Sequence, residues 1–484
     1  MIAAAIFVFL FSALGINGST PVETSENIEQ VVHVNPPAPG TSRYQYMPFD
    51  VPPGTTRIDI SYEYDRAGNA NVLDIGLFDQ RGSGSDVDAR GFRGWSGGRR
   101  SKFFVSQDEA TPGYLAGSIT AGKWHVILGL YKVVPAGVDV RFKIKITRGV
   151  PKAAHGSLSP LARRQPDGRA RWWSGDLHMH TVHSDGDWTV AELISTARVR
   201  GLDFICITDH NTSSHHVDID RLQNREGPLV LRGEEITTYG GHTNAWGLPF
   251  KNWIDFRVRP NDSARMSAIV NTVHRVGALM SINHPFATCG GCAWTYHSAV
   301  KDFDAIEVWN GDWDFADDLA LVMWDKMLRT GRHITAIGSS DSHRSANMIG
   351  QPTTHVFARS ATQSALLSAI RRGQVYVTSE VNTPIVTFEA ARLVGAKRWS
   401  VGDEFQLPKP ETIRFLITTS GLPEGAVISL ISNSSKLREL TGAKESQVIE
   451  IDCGESGYFR LEIRDASKKM LALTNPIWVK VRSW

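Results

Sequence analysis

Hydrophobic and polar residues alternate with period two along the first third of the chain. In "RIDISYEY" the apolar set is Ile58, Ile60, Tyr62 and Tyr64; in "KWHVILGLY" it is Trp124, Val126, Leu128 and Leu130. In "VDVRFKIKI" it is Val138, Val140, Phe142, Ile144 and Ile146. Successive side chains of a strand point to opposite faces, so this alternation predicts strands with one buried face. With frequent Gly and Pro turns between them, a β-sandwich is expected over about residues 40–150. The stretch "RGFRGWSGGRR" (90–100) is too glycine-rich for a strand. It reads as a mobile surface loop, with a loop reaching toward a neighbouring site as the alternative.

A linker containing Pro, Ala and Arg covers residues 151–171, and the rhythm then changes to short strand and helix. "DFICITDHN" follows the helical "TVAELISTARVRG", "ALMSINHP" follows "SARMSAIVNTVHRVG", and "ITAIGSSDSH" follows "DLALVMWDKMLRTG". Repeated βα units with apolar strands predict a parallel α/β sheet or barrel over residues 172–380. From 384 to 484 β alternation returns (Ile413, Phe415, Ile417; Phe459, Leu461, Ile463), ending in "TNPIWVKV", which predicts a second small β-sandwich.

Composition changes this picture little. Apolar residues at 42% and charged residues at 21% are ordinary for a globular chain with a sizeable core. A formal net charge of +2 argues against a broad nucleic-acid surface. The N-terminus is the exception. "IAAAIFVFLFSALGI" followed by "NGST" reads as a secretory signal over residues 1–18, short for a membrane span. An uncleaved anchor is the other reading. The mature chain is expected to be exported, secreted or periplasmic, without stable membrane insertion. Of the four cysteines, "CGGC" at 289–292 reads as a small-loop disulfide, since no second ligand pair completes a zinc knuckle.

The candidate chemistry begins in "GDLHMHTVHSDGDW" (175–188). Residues two apart in a strand share a face, so His178 and His180 can present two imidazoles to one metal ion. Alone, an HxH pair is weak, but the pattern recurs. Later strands end in Asp209 and His210, in Glu234 and Glu235, in His284, and in Asp341 and His343, while "GGHTNAWG" opens with His242. The C-terminal ends of barrel strands are where neighbouring loops converge into a site.

The ordered set "GDLHMHTVHSDG", "GLDFICITDHNT", "GEEITTYGGHTN", "INHP", "VWNGDW" and "SDSH" resembles the PHP family, named for polymerase and histidinol phosphatase domains. Within it the nearest likeness is to the carbaryl-hydrolase-like CehA/McbA branch. The resemblance covers residues 172–380 well, and loosely takes in "FRGWSGG" and "TNPIW". It implies a distorted (βα)7 barrel flanked by two small all-β sandwiches and holding two or three divalent ions, Mn, Fe or Zn. Carried over, His178, His180 and Asp341 would hold the first ion. Glu235 would bridge it to a second, held by His242 and His284, and Asp185, His210 and His343 would hold a third. Asp185 stands where many relatives carry histidine, which leaves the third site in question. His242 qualifies only if "TYGG" turns the chain so that it starts an adjacent strand. Asp341, His343 and Glu235 are read as the catalytic residues.

Other residues carry paired readings. Asp176 and Asp209 are read as partners that orient ligand imidazoles. His183, His215 and His216 are read as solvated loop histidines, or as proton donors at the mouth. Asn310, Arg344 and Arg232 are candidates for substrate binding, surface salt bridges being the alternative for the arginines. Trp246, Trp294 and Trp309 are core, or walls of an aromatic subsite. Such an ion cluster lowers the pKa of bound water and neutralises oxyanion charge, so the expected reaction is hydrolysis by a metal-bridged hydroxide. There is no G-x-S-x-G elbow and no phosphate loop in a strand–helix setting. A small-molecule phosphoester is the expected substrate, and a carbamate or carboxyl ester of an aromatic compound is the alternative. A non-catalytic binding module is the reading from another class. No nucleic-acid partner is expected, and self-association into a homo-oligomer is left open.

Overall fold

The computed structural model describes residues 23–82, 89–150, 170–223, 227–345, 348–441 and 446–482. The expected signal segment and all but the end of the 151–171 linker lie outside the described residues. In the first segment the alternating runs form two four-stranded antiparallel sheets. One has the order Thr24–Val34, Val138–Arg148, Thr55–Tyr64, Lys102–Ser106; the other has Tyr44–Val51, Gly122–Lys132, Val72–Phe78, Phe92–Gly97. Ile58, Ile60, Phe142 and Ile144 of the first pack against Val126 and Leu128 of the second, all essentially unexposed. The first strand lies ahead of residue 40, where alternation becomes legible. Phe92–Gly97, expected to be a surface loop, is a buried edge strand instead. Its Gly94 has φ +140 and faces Tyr114 so closely that a Cβ could not fit.

The central segment builds a nine-strand run in the order Thr335–Ser339, Ala305–Asn310, Leu279–Asn283, Gly241–Trp246, Leu229–Thr238, Phe204–Ile207, Arg171–Asp176, Thr353–Ala358, Val375–Thr378. The run curls until its ends meet. Cys206, Leu231, Trp246, Leu279, Ile337 and Val356, one from each of six strands, share one buried cluster. The side chain of Asn475 ties the two end strands: it accepts from the Ala336 amide at 2.8 Å and donates to the Ala336 and Val375 carbonyls at 2.8 and 3.0 Å.

The expected all-parallel βα repeat is only partly present. Gly241–Trp246 runs antiparallel to both its neighbours, Leu229–Thr238 and Leu279–Asn283, and Arg171–Asp176 is antiparallel to Thr353–Ala358. The reason is local: Tyr239–Gly240 joins two strands by a two-residue turn, and so short a link permits only a hairpin. Five α-helices occur among the described residues. Val190–Val199 starts at a capping box between Thr189 and Glu192, and Phe315–Arg329 at one between Asp314 and Asp317.

The C-terminal segment is not separate from this sheet. Met470–Thr474 pairs with Val375–Thr378, which carries the curled run into a fifteen-stranded sheet. A four-stranded sheet (Arg398–Ser400, Ile385–Arg392, Glu411–Ser420, Ser446–Cys453) packs on its far end, with Phe388, Phe415, Leu430 and Leu461 between the layers. One core cluster crosses all three segments, joining Phe78, Phe92 and Trp95 to Ile282 and Trp324, and those to Tyr458 and Trp478. Among the described residues no helix is long and apolar enough to cross a membrane.

Candidate metal centre

The hairpin at Tyr239–Gly240 sets the site's register. Thr237 lies opposite His242 and Glu235 opposite Asn244, so His242 sits at the start of its strand. Alternation along Leu229–Thr238 turns Glu235 into the curled sheet. Glu234 turns outward, where Oε2 accepts from the Ile254 amide at 2.9 Å. Gly233 leaves room for this: a Cβ there would lie 2.6 Å from the Cys206 sulfur.

Nine side chains converge at the strand ends: His178, His180, Asp185, His210, Glu235, His242, His284, Asp341 and His343. They form overlapping groups whose ligand-type atoms lie within 4.8 Å of one another: His178, His180 and Asp341; His178, Glu235 and His284; and His180, Asp185, His210 and His343. His242 and His284 form a further group with Cys292, whose sulfur is 3.7 Å from His242 Nε2 and is in the expected disulfide with Cys289.

The two carboxylates at the centre face both ways. Glu235 Oε1 is 3.3 Å from His178 Nε2, 3.3 Å from His284 Nε2 and 3.4 Å from His242 Nδ1, whereas Oε2 is 2.7 Å from His210 Nδ1 and 3.6 Å from His180 Nε2. Asp341 Oδ1 is 3.3 and 3.1 Å from the Nε2 atoms of His178 and His180. Asp185 Oδ1 is 3.4 Å from His210 Nε2 and 3.3 Å from His343 Nε2.

Burial opposes charge on Glu235, but the imidazoles of His178, His210 and His242 outweigh it and hold the carboxyl well below the usual range. Asp341 is held down in the same way by His178, His180 and His343. Burial, aided by His343 and His210, lowers His180 to about 4, so its ring is neutral and offers a lone pair.

The donor set fits divalent ions. His178 Nε2, His180 Nε2 and Asp341 Oδ1 are buried with no hydrogen-bond partner, although buried polar atoms are nearly always satisfied. Their convergence is what a cation would satisfy, and mixed imidazole and carboxylate donors suit Mn, Fe or Zn. The backbone is strained at two of these residues. His284 has φ +23 and Asp341 φ +49, and left-handed non-glycine residues cluster where function demands them.

The partners of the imidazoles differ from expectation. His178 Nδ1 lies 3.1 Å from Glu307 Oε1, and Glu307 Oε2 accepts the His284 amide at 3.0 Å. Glu307 thus orients two imidazole-bearing residues, and sequence reasoning missed it inside "AIEVWN". Its one signal was a carboxylate in an otherwise apolar strand. Asp176 touches no imidazole; it accepts the amides of His178, Ser340 and Gly350 and so ties loops together. Asp209 reaches His180 only through Ser184, whose hydroxyl donates to Asp209 at 2.7 Å and lies 3.5 Å from His180 Nδ1.

Two further expectations are corrected. His183, His215 and His216 are buried rather than solvated. His183 lies between Ser214 and Asp218, and His215 and His216 face the Gly233 carbonyl. Arg232 points away from the site into an ion pair with Asp220 at 2.7 Å, because it shares the outward face of its strand with Glu234. Trp246, Trp294 and Trp309 are core. Asn310 and Arg344 do line the cavity, and Asn310 Nδ2 donates to Glu307 at 3.0 Å and lies 3.3 Å from Asp341.

The cavity over the site holds about 680 Å³. Its outer wall comes from the N-terminal sandwich, through Tyr44, Asp74, Trp95, Arg99 and Tyr131. Arg99 pairs with Asp187 at 2.7 Å, and the backbone of Gly113 bonds to Ser214 and Thr212, fixing this wall on the strand ends. Burial raises the Asp74 carboxyl to about 6, with the Tyr239 hydroxyl pulling it back.

Residues 176–258 match the family model of the PHP domain, and residues 328–375 match that of the PHP-associated region. Both matched stretches lie in the central segment, and the first takes in His178 to His242 of the candidate centre. No curated protein matches the chain. Among solved structures, a two-domain Bacteroides vulgatus protein containing a predicted PHP-like metal-dependent phosphoesterase is 19% identical, covering 67% of this chain and 100% of its own, with a TM-score of 0.38. A Bifidobacterium adolescentis protein described as a predicted metal-dependent phosphoesterase is 17% identical over 39% of this chain and 93% of its own, with a TM-score of 0.30. An amidohydrolase from Chromobacterium violaceum is 17% identical over 36% and 89%, with a TM-score of 0.26.

Proposed function

We propose that the protein is an exported, PHP-type metal-dependent hydrolase that cleaves small-molecule phosphoesters, its curled sheet being the distorted (βα)7 barrel of that family. The observation that carries this reading is the set of buried, unpartnered His178, His180 and Asp341 atoms around Glu235, whose two oxygens face separate imidazole groups. His178, His180 and Asp341 would hold one ion, Glu235 would bridge to another at His242 and His284, and Asp185, His210 and His343 would hold a third. Bound there, divalent ions bring the pKa of water toward neutrality and neutralise developing oxyanion charge. The chain's own part is to keep His180 neutral, to fix His178 and His284 through Glu307, and to close the cavity with the N-terminal wall. Asn310 and Arg344 stand where a substrate oxygen would be gripped.

A second reading, hydrolysis of aromatic carbamates or carboxyl esters as in the carbaryl-hydrolase-like branch, is favoured by the aromatic outer wall of Tyr44, Trp95 and Tyr131. A p-nitrophenol panel on the manganese-loaded protein separates the two: phosphate monoester, phosphate diester, N-methylcarbamate and acetate, with Asp341→Ala as control. Turnover confined to phosphate esters and lost in the variant supports the phosphoesterase. Turnover of carbamate or acetate alone overturns it in favour of the second reading. Silence on all four with metal bound moves the assignment toward an unsampled substrate or a binding module.

A further inference from the structure

Resting on the hydrolase reading, we propose that Asp74 of the N-terminal sandwich selects the substrate, accepting a hydrogen bond from a hydroxyl or ammonium group on a ring-bearing leaving group. The strand Val72–Phe78 carries Asp74 across the segment boundary into the reaction cavity, which it lines together with Asp185 and His210. One carboxylate oxygen, Oδ2, accepts the Tyr239 hydroxyl at 2.6 Å. The other, Oδ1, has no hydrogen-bond partner among the described residues. A carboxylate that lines a cavity with only one of its oxygens engaged keeps the other as an acceptor for an incoming donor.

The surroundings say what kind of molecule brings that donor. Tyr44 lies 5.6 Å from Tyr239 and 6.3 Å from Trp95 between ring centroids, and Tyr131 lies 6.2 Å from Tyr239, so aromatic faces frame the carboxylate. The framing depends on Gly129. A Cβ there would collide with the Tyr239 hydroxyl and come within 2.9 Å of Trp95 and 3.1 Å of Asp74. Aromatic faces suit a ring, and the carboxylate repels a second anion and welcomes a neutral or cationic donor. The metal-facing end of the cavity would then take the ester and this end the departing group.

The test uses three leaving groups of one shape, 4-ethylphenol, 4-(2-hydroxyethyl)phenol and tyramine, as esters of the acid that the panel shows to be cleaved. Phenol release is followed by chromatography, and binding of the free phenols to the metal-loaded protein by calorimetry. The donor-bearing pair is expected to exceed 4-ethylphenol about 10-fold or more in kcat/KM and in affinity, the ratio typical of a hydrogen bond to a charged group. Asp74→Asn keeps the volume and the Tyr239 contact, and should bring tyramine to within about twofold of 4-ethylphenol; Asp74→Ala should level all three. Equal values across the series in the wild type, or ratios unchanged in folded, metal-loaded variants, overturn the inference. If all three esters turn over alike, the hydrolase reading stands and this one falls. If the panel shows no acid to be cleaved but the phenols bind in the expected order with Asp74 dependence, the donor site stands as a binding site and the hydrolase reading falls. Neither turnover nor differential binding overturns both.

Discussion

Replacing Asn475 with alanine is expected to open the seam of the curled sheet. Asn475 is fully buried, and its side chain satisfies both backbone groups of Ala336 and adds a donor to the Val375 carbonyl, which also holds the Asn475 amide at 3.1 Å. Truncation strands the Ala336 amide and carbonyl. Each buried unsatisfied group costs about 1–3 kcal/mol, so the sum is roughly 2–6, and water entering the vacated space returns part of it. We expect about 3 kcal/mol, read in the metal-free protein by urea unfolding and by hydrogen exchange of the Ala336 amide. Exchange reports the local opening directly and should speed up about 100-fold, the factor that roughly 3 kcal/mol represents. Asn475→Asp sharpens the reasoning. It keeps the acceptor for the Ala336 amide but sets an oxygen against two carbonyls, so its protonated form is favoured in the folded state and its folded pKa rises. That variant should lose stability as pH climbs from about 4 through its raised folded pKa. A loss under about 1 kcal/mol with unchanged Ala336 exchange would refute the role given to this side chain.

Glu307→Gln keeps the shape but sets an amide where a charged oxygen faced the His178 ring or the His284 amide, so metal affinity is expected to fall about 10–100-fold, measured by competition with a chelator. Unchanged affinity would remove Glu307 from the site. Asp325→Ala leaves the buried Arg460 guanidinium with Glu462 alone and strips the Tyr458 hydroxyl of an acceptor; a loss of about 3–5 kcal/mol is expected in urea unfolding. Loading the chelator-treated protein with manganese at 100 times its Kd should raise stability by about 2.7 kcal/mol for each ion bound, and the share of the ion held by Asp341 should vanish in Asp341→Ala. A thermal midpoint indifferent to metal would count against the centre.

Much of this arrangement was legible because strand-terminal histidines and carboxylates are chemically conspicuous. His178 and His180 share a face by strand geometry alone, and "TYGG" announced the hairpin that brings His242 beside Glu235. What stayed hidden depended on packing between distant segments. Asp74 and Trp95 lie about a hundred residues or more from the histidines they face, and no local pattern places a sandwich strand over a strand end. The 90–100 stretch misled because glycine content argues for a loop, whereas Gly94 is there so that the strand can press against Tyr114. Arg232 is a different case. The alternation that chose Glu235 over Glu234 also turns Arg232 outward, so its exclusion was available from the sequence. Asn475 was visible only as part of "TNPIW", since its bonds to Ala336 span 139 residues.

The reaction cavity draws its two walls from stretches of chain that are distinct in the gene: Tyr44 to Tyr131 on one side, Ser184 to Arg344 on the other. Mutations in the first stretch can reshape what is admitted while every metal-facing side chain stays as it is. If the proposed hydrolase reading holds, selection can explore new substrates there and keep the cluster of histidines and carboxylates under separate constraint. On that reading substrate range would drift faster than chemistry, and descendants of one ancestor would share their histidines while disagreeing at Asp74.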